Sequence, residues 1–117
     1  IRGFHYQREP FAEGKILRCT KGKVYEVILD IRKESKTFLE WEGIELSESN
    51  YRILFVPKGF ALGFQTLEDE TEIFYQMTQK YMPEYTMGIR WDDPKLNIKW
   101  PIKPTVISQK DQSWKLL

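Results

Sequence analysis

The segment Lys23-Val24-Tyr25-Glu26-Val27-Ile28-Leu29-Asp30-Ile31 decides the fold class. Successive side chains of an extended chain point to opposite sides, so Tyr25, Val27, Leu29 and Ile31 share one face while Glu26 and Asp30 fall on the other. The branched and aromatic residues that dominate it suit a pleated surface. The pattern predicts a strand over 24–31. It is entered through Lys21-Gly22-Lys23, a turn signal that closes an earlier strand, Ile16-Leu17-Arg18-Cys19-Thr20.

The same grammar continues downstream. Glu40-Trp41-Glu42 alternates polar and aromatic residues, and Gly43-Ile44-Glu45-Leu46 extends it to the turn cluster Ser47-Glu48-Ser49-Asn50. Arg52 to Val56 reads as a strand stopped by Pro57-Lys58-Gly59. The next segment, 60–67, contains Gly63 and is expected to bend or bulge. Glu72 to Thr78 alternates again. Beyond Met82 the chain is irregular and carries Pro83, Pro94, Pro101 and Pro104. Its apolar residues Ile89, Trp91, Leu96, Ile98, Trp100 and Ile102 predict a segment laid across a sheet. Short strands at this spacing predict an all-β fold: an antiparallel sandwich, barrel or jelly roll. Neither an internal repeat nor a linker interrupts it, so one domain over 1–117 is expected.

Composition narrows the function classes. The 117 residues are 41% hydrophobic, enough for a packed core and too many for a disordered chain. Eighteen basic residues against 17 acidic ones leave a formal charge of +1, which argues against nucleic-acid binding by bulk basic charge. No apolar run approaches the roughly 20 residues of a membrane-spanning helix, so no membrane partner is expected. Cys19 is the single cysteine, which excludes an intrachain disulfide and suits a reducing compartment. His5 is the single histidine, so the chain cannot build a metal site on two histidines, and no metal is expected. The opening Ile1-Arg2-Gly3, with neither an initiator methionine nor a signal peptide, reads as the middle of a longer protein or a trimmed chain.

Four residues carry candidate chemistry. An imidazole titrates at about 6.5, which suits His5 to act as a base at neutral pH, given a carboxylate to fix its tautomer. The alternative is a structural histidine between aromatics. Lys15 follows Gly14 at a strand entry, and a solvated strand end is its plainest reading. Tyr75 shares a strand face with Ile73 and Met77. That favours core packing, yet a tyrosine hydroxyl among apolar neighbours needs a partner, as a catalytic acid would. Tyr81 can either pack or stack on a ligand base.

Taken in order, Arg2-Gly3-Phe4-His5-Tyr6-Gln7, Gly14-Lys15-Ile16-Leu17-Arg18-Cys19 and Gly22-Lys23-Val24-Tyr25-Glu26-Val27 form a recognisable series. Asp30-Ile31-Arg32-Lys33-Glu34-Ser35, Pro57-Lys58-Gly59-Phe60-Ala61, Trp91-Asp92-Asp93-Pro94, Ile98-Lys99-Trp100-Pro101 and Ser108-Gln109-Lys110-Asp111 continue it. The chain resembles the dTDP-4-dehydrorhamnose 3,5-epimerase family along essentially its whole length. The resemblance implies a cupin-like jelly roll, a homodimer, no cofactor, and a dTDP-4-keto-6-deoxyhexose as substrate; the lack of a signal, and where activated sugars are made, lead to the expectation of a cytoplasmic location. It also implies that the family's N-terminal segment is missing from this single cupin-like domain. By position, His5 resembles the base, Asp111 its dyad partner, Lys15 the cation beside the enolate oxygen and Tyr75 the far-face proton donor. Tyr81 resembles the residue that stacks on the nucleotide base, and Arg2 and Lys110 resemble residues that hold the substrate. Two positions depart: Leu62 stands for a family histidine and Thr86 for a family glutamate. They leave open inversion at only one carbon, or a different nucleotide sugar. A non-catalytic nucleotide-sugar-binding module, or a fragment kept only as a scaffold, is the alternative.

Overall fold

The computed structural model describes residues 1–117. Strands β1 (Arg2–Gln7), β2 (Lys15–Lys21), β3 (Lys23–Asp30), β4 (Trp41–Ser47), β5 (Leu54–Val56), β6 (Phe60–Thr66) and β7 (Glu72–Met77) come first. A 3-10 turn (Pro83–Tyr85), β8 (Thr86–Gly88) and a short helix α1 (Gln109–Gln112) follow. Every strand pair is antiparallel. A five-stranded sheet runs β4-β3-β6-β1-β8, and a three-stranded sheet runs β5-β2-β7. This is the expected cupin-like jelly roll.

The strand β3 forms the centre of this arrangement. It pairs residue by residue with β4 from Lys23↔Ser47 to Leu29↔Trp41, and with β6 from Val24↔Thr66 to Asp30↔Phe60. Both of its faces are covered. Val27 and Leu29 pack with Phe4, Ala61, Ile89 and Leu96 in a core roofed by the C-terminal segment. Val24 packs from the other face against Leu17, Cys19, Leu46 and Val56, which fill the space between the two sheets. The predicted lay of the tail is therefore found: Trp41 Nε1 donates to Leu96 O (2.9 Å), and Trp100 stacks at a tilt on Phe4.

Double burial changes the meaning of the alternation read from β3. Glu26 and Asp30 do lie opposite Val27 and Leu29, but neither meets solvent. Asp30 is satisfied by Arg32, Ser35 and Thr37, whose donors surround both of its oxygens. Those hydrogen bonds, the Arg32 guanidinium's above all, hold its carboxyl well below the usual range. Glu26 has no such partners.

Three details differ from the sequence reading. The strand predicted over 52–56 begins to pair only at Leu54, because Asn50 Oδ1 captures the Arg52 amide and prolongs the turn. Segment 60–67 runs straight against β3; the irregularity lies in its other neighbour, where the β1–β6 register shifts between Arg2 and His5. The sequence pattern marks neither β1 nor β8 as a strand.

Leu29 is fully buried in the tail-covered core. Leu29→Ala is expected to destabilise the protein by about 2–5 kcal/mol, read as a lower urea midpoint at unchanged m-value.

Candidate functional site

Between the two sheets opens a cavity of about 610 Å³. Its walls carry Arg2, His5, Lys15, Tyr75, Tyr81 and Lys110. Residues from the chain's first strand and from its C-terminal helix thus meet in one place.

β1 supplies Arg2 and His5. Residues three apart on a regular strand face opposite ways. The register shift between them lets both line the same cavity. The shift is built around Gly3, whose φ is +123° and whose missing Cβ would lie 2.5 Å from Gly63 Cα. A side chain there would collide with the backbone of β6.

Asp111 sits behind His5. His5 Nε2 lies 2.6 Å from Asp111 Oδ1. Trp114 Nε1 donates to the same oxygen (3.2 Å), and the Gly3 amide donates to Oδ2 (3.1 Å). Ser108 caps α1 by accepting the Asp111 amide, which fixes the carboxylate's origin. The Trp114 ring covers Gly88, the residue opposite His5 in the β1–β8 pair, where any Cβ would fall 2.0 Å from the indole. The dyad is therefore held from both ends of the chain.

Electrostatics assign the proton. Burial alone would raise the Asp111 pKa, but the bonds from His5 and the Gly3 amide outweigh it and hold the carboxyl below its ordinary value. An ionised carboxylate only accepts, so Nε2 carries the hydrogen and Nδ1 keeps the free lone pair. Burial lowers the His5 pKa below 6.5 in spite of Asp111, with Lys15 and Arg2 adding to the effect. The ring is neutral at pH 7 and free to accept a proton.

Lys15 opens β2 and is not the solvated strand end of its plainest reading. Its side chain is 17% exposed and its Nζ lies 3.3 Å from Glu13 Oε1. Tyr75 comes from β7, in the sheet opposite His5, so the phenol and the imidazole approach the cavity from different walls. Its predicted core packing is not found: Tyr75 is 58% exposed, and its hydroxyl bonds no other protein group. Tyr81 is 57% exposed at the cavity mouth. The buried Gln7 clamps its flanks, donating to Lys80 O (3.1 Å) and accepting from the Met82 amide (2.7 Å). Lys110 reaches the cavity from α1, its ammonium 5.8 Å from the centre of the Trp114 ring.

The family model for dTDP-4-dehydrorhamnose 3,5-epimerase matches residues 1–117. The chain belongs to this family. It is 46% identical over 120 residues to the dTDP-4-dehydrorhamnose 3,5-epimerase of Methanothermobacter thermautotrophicus, a match covering 100% of this chain and 64% of that one. The structure of the Bacillus anthracis enzyme, solved with TDP and PPi bound, superposes with a TM-score of 0.96 at 42% identity. That match covers 99% of this chain and 66% of the other. A Legionella pneumophila dTDP-6-deoxy-D-glucose-3,5-epimerase, in complex with dTDP-4-keto-L-rhamnose, gives 0.93 at 41%, covering 98% and 61%. The chain thus spans about three fifths of the length of these curated relatives.

Within this epimerase-family fold, both departures noted in the sequence line the cavity. Leu62 lies opposite His5 in the β1–β6 pair, and Thr86 opens β8. The sequence reading missed two acids, Glu13 and Glu26, which also line it. The signal for Glu26 was an acid between Val24 and Ile28 in the middle of a strand.

With one histidine in the chain, its titration is directly readable. The His5 ring signals should titrate below pH 6.5 in an NMR series, and Asp111→Asn, which removes a charge that raises that pKa, should lower the midpoint further. A midpoint above 6.5 in the parent protein would contradict the assigned charge state.

Proposed function

We propose that the protein is a nucleotide-sugar epimerase that inverts C3 and C5 of a dTDP-4-keto-6-deoxyhexose through an enolate, in rhamnose-type deoxysugar biosynthesis. The observation that carries this reading is the 2.6 Å His5–Asp111 bond on one cavity wall, with Tyr75 on the facing sheet. Binding alone has no use for such a dyad, which weighs against a non-catalytic module.

The C4 ketone acidifies the protons on C3 and C5. His5 Nδ1 takes one of them, and Asp111 stabilises the imidazolium that forms. The electron pair moves onto the C4 oxygen. The Lys15 ammonium, fixed beside Glu13, stabilises that oxyanion. The Tyr75 hydroxyl returns a proton to the opposite face of the same carbon. Exchange with water then restores the imidazole and the phenol for the second carbon. Arg2 and Lys110 hold the diphosphate, and Tyr81 stacks on the base. None of these steps calls on a cofactor.

Leu62 supports a narrower second reading. An apolar wall beside the base removes a donor and an acceptor from the sugar pocket, which favours inversion at one carbon or a different sugar. The exposed Ile16, Phe55 and Phe74 share the outer face of the three-stranded sheet and support a homodimer, whose mass light scattering would measure. A cytoplasmic location follows from where activated sugars are made.

Incubation with a dTDP-4-keto-6-deoxyhexose in heavy water tests the chemistry. Deuterium entry at C3 and C5 is the expected result, entry at one carbon selects the narrower reading, and binding without exchange rejects both. His5→Ala should slow exchange by about 10²–10⁴-fold while the fold persists by circular dichroism. Tyr75→Phe should impair net inversion more than the first exchange. Equal loss of both steps would remove Tyr75 from the far-face role.

A further inference from the structure

Glu26 stands apart from the other acids of the molecule. It projects from the middle of β3 into the space between the sheets and is 1% exposed. Both of its carboxyl oxygens are buried without a hydrogen-bond partner. It nevertheless lines the same cavity as His5 and Lys15. Its strand neighbours Ile44 and Phe64 offer it no donor.

The groups facing it can be named element by element. β1 presents His5, Arg2 and Tyr6, and β7 presents Tyr75. β2 presents Lys15 and Cys19, with Glu13 just before it. Lys110 and Tyr81 complete the rim; β6 brings no charge to this face, and β4 brings only the exposed Glu42, opposite Ile28. Lys15 is the one charge with a resolved influence on Glu26, and it is already paired with Glu13.

We propose that Glu26 is a positioning residue of the epimerase site, whose protonated form leaves the Lys15 ammonium available to the ligand and whose carboxylate would bind that ammonium instead. The proposal rests on the reading of Lys15 given above. One ammonium cannot serve two buried carboxylates and a developing oxyanion at full strength. A second negative charge on the cavity floor also repels a nucleoside diphosphate. Burial pushes the Glu26 carboxyl up to about 8, with Lys15 partly opposing, so the acid is uncharged at neutral pH. The sign for stability follows. Between 4.5 and about 8 the folded carboxyl holds a proton that the unfolded chain has released, so stability falls as pH rises through that window.

The test compares the parent protein with Glu26→Gln and Glu26→Leu, two permanently uncharged side chains, at pH 7 and pH 9.5. Calorimetry measures dTDP affinity, and deuterium exchange measures turnover. The parent protein is expected to lose at least tenfold in affinity and in exchange rate between the two pH values, and both variants are expected to lose much less. Melting temperatures should fall less steeply with pH in the variants, which a merely structural acid would also give. The affinity contrast is what such an acid would not give. An alkaline loss of affinity that persists unchanged in both variants overturns the proposal. Absence of exchange in all three proteins with the affinity contrast intact rejects the epimerase reading and leaves the role of Glu26 at Lys15 standing. If one variant fails to fold, the other carries the comparison.

Discussion

The strand Lys23–Asp30 is covered on both faces, and the remaining architecture follows from that constraint. A strand buried on both sides needs two separate apolar layers, one from a second sheet and one from elsewhere in the chain. Here β2, β5 and β7 supply the first layer and the segment after β8 supplies the second. The long, proline-bearing tail is therefore a structural layer and not a loose end. Its path over the five-stranded sheet also delivers Ser108–Trp114 to the back of β1, where Asp111 meets His5.

The dyad is consequently a product of core packing. Phe4 faces the tail-covered core while its neighbours Gly3 and His5 face the carboxylate. A shift of the tail would move Asp111 and uncover Phe4 together. The same economy holds at Gln7, which is buried for packing and yet fixes the backbone on both sides of Tyr81. In this fold the groups proposed for chemistry are oriented by residues whose first task is to close a core.

Charge around the cavity is arranged to keep the His5 imidazole uncharged and the Lys15 ammonium fixed. Burial depresses the imidazole pKa and raises that of Glu26, while Asp111, given donors on both oxygens, stays ionised. His5 and Glu26 are thus uncharged at neutral pH while Asp111 is an anion. Hydrogen-bond donors make the difference between the two buried acids: Asp111 has them and Glu26 has none.

Much of the fold was legible in the chain. The period-two runs of β2, β3, β4 and β7 and the turn clusters between them specify antiparallel strands, because side-chain alternation is a local property of extended backbone. The candidate side chains His5, Lys15, Tyr75, Tyr81, Arg2, Lys110 and Asp111 were legible through resemblance to known epimerases. Local pattern could not reveal β1, whose register shift at Gly3 breaks the alternation, nor β8, which is three residues long and defined only by its partner. It could not tell that Glu26 is buried, since an alternating acid reads the same whether its face meets water or another sheet. The 2.6 Å approach of two side chains 106 positions apart, and the burial that sets their charges, exist only once the tail crosses the sheet, because long-range packing and desolvation leave no periodic trace in sequence.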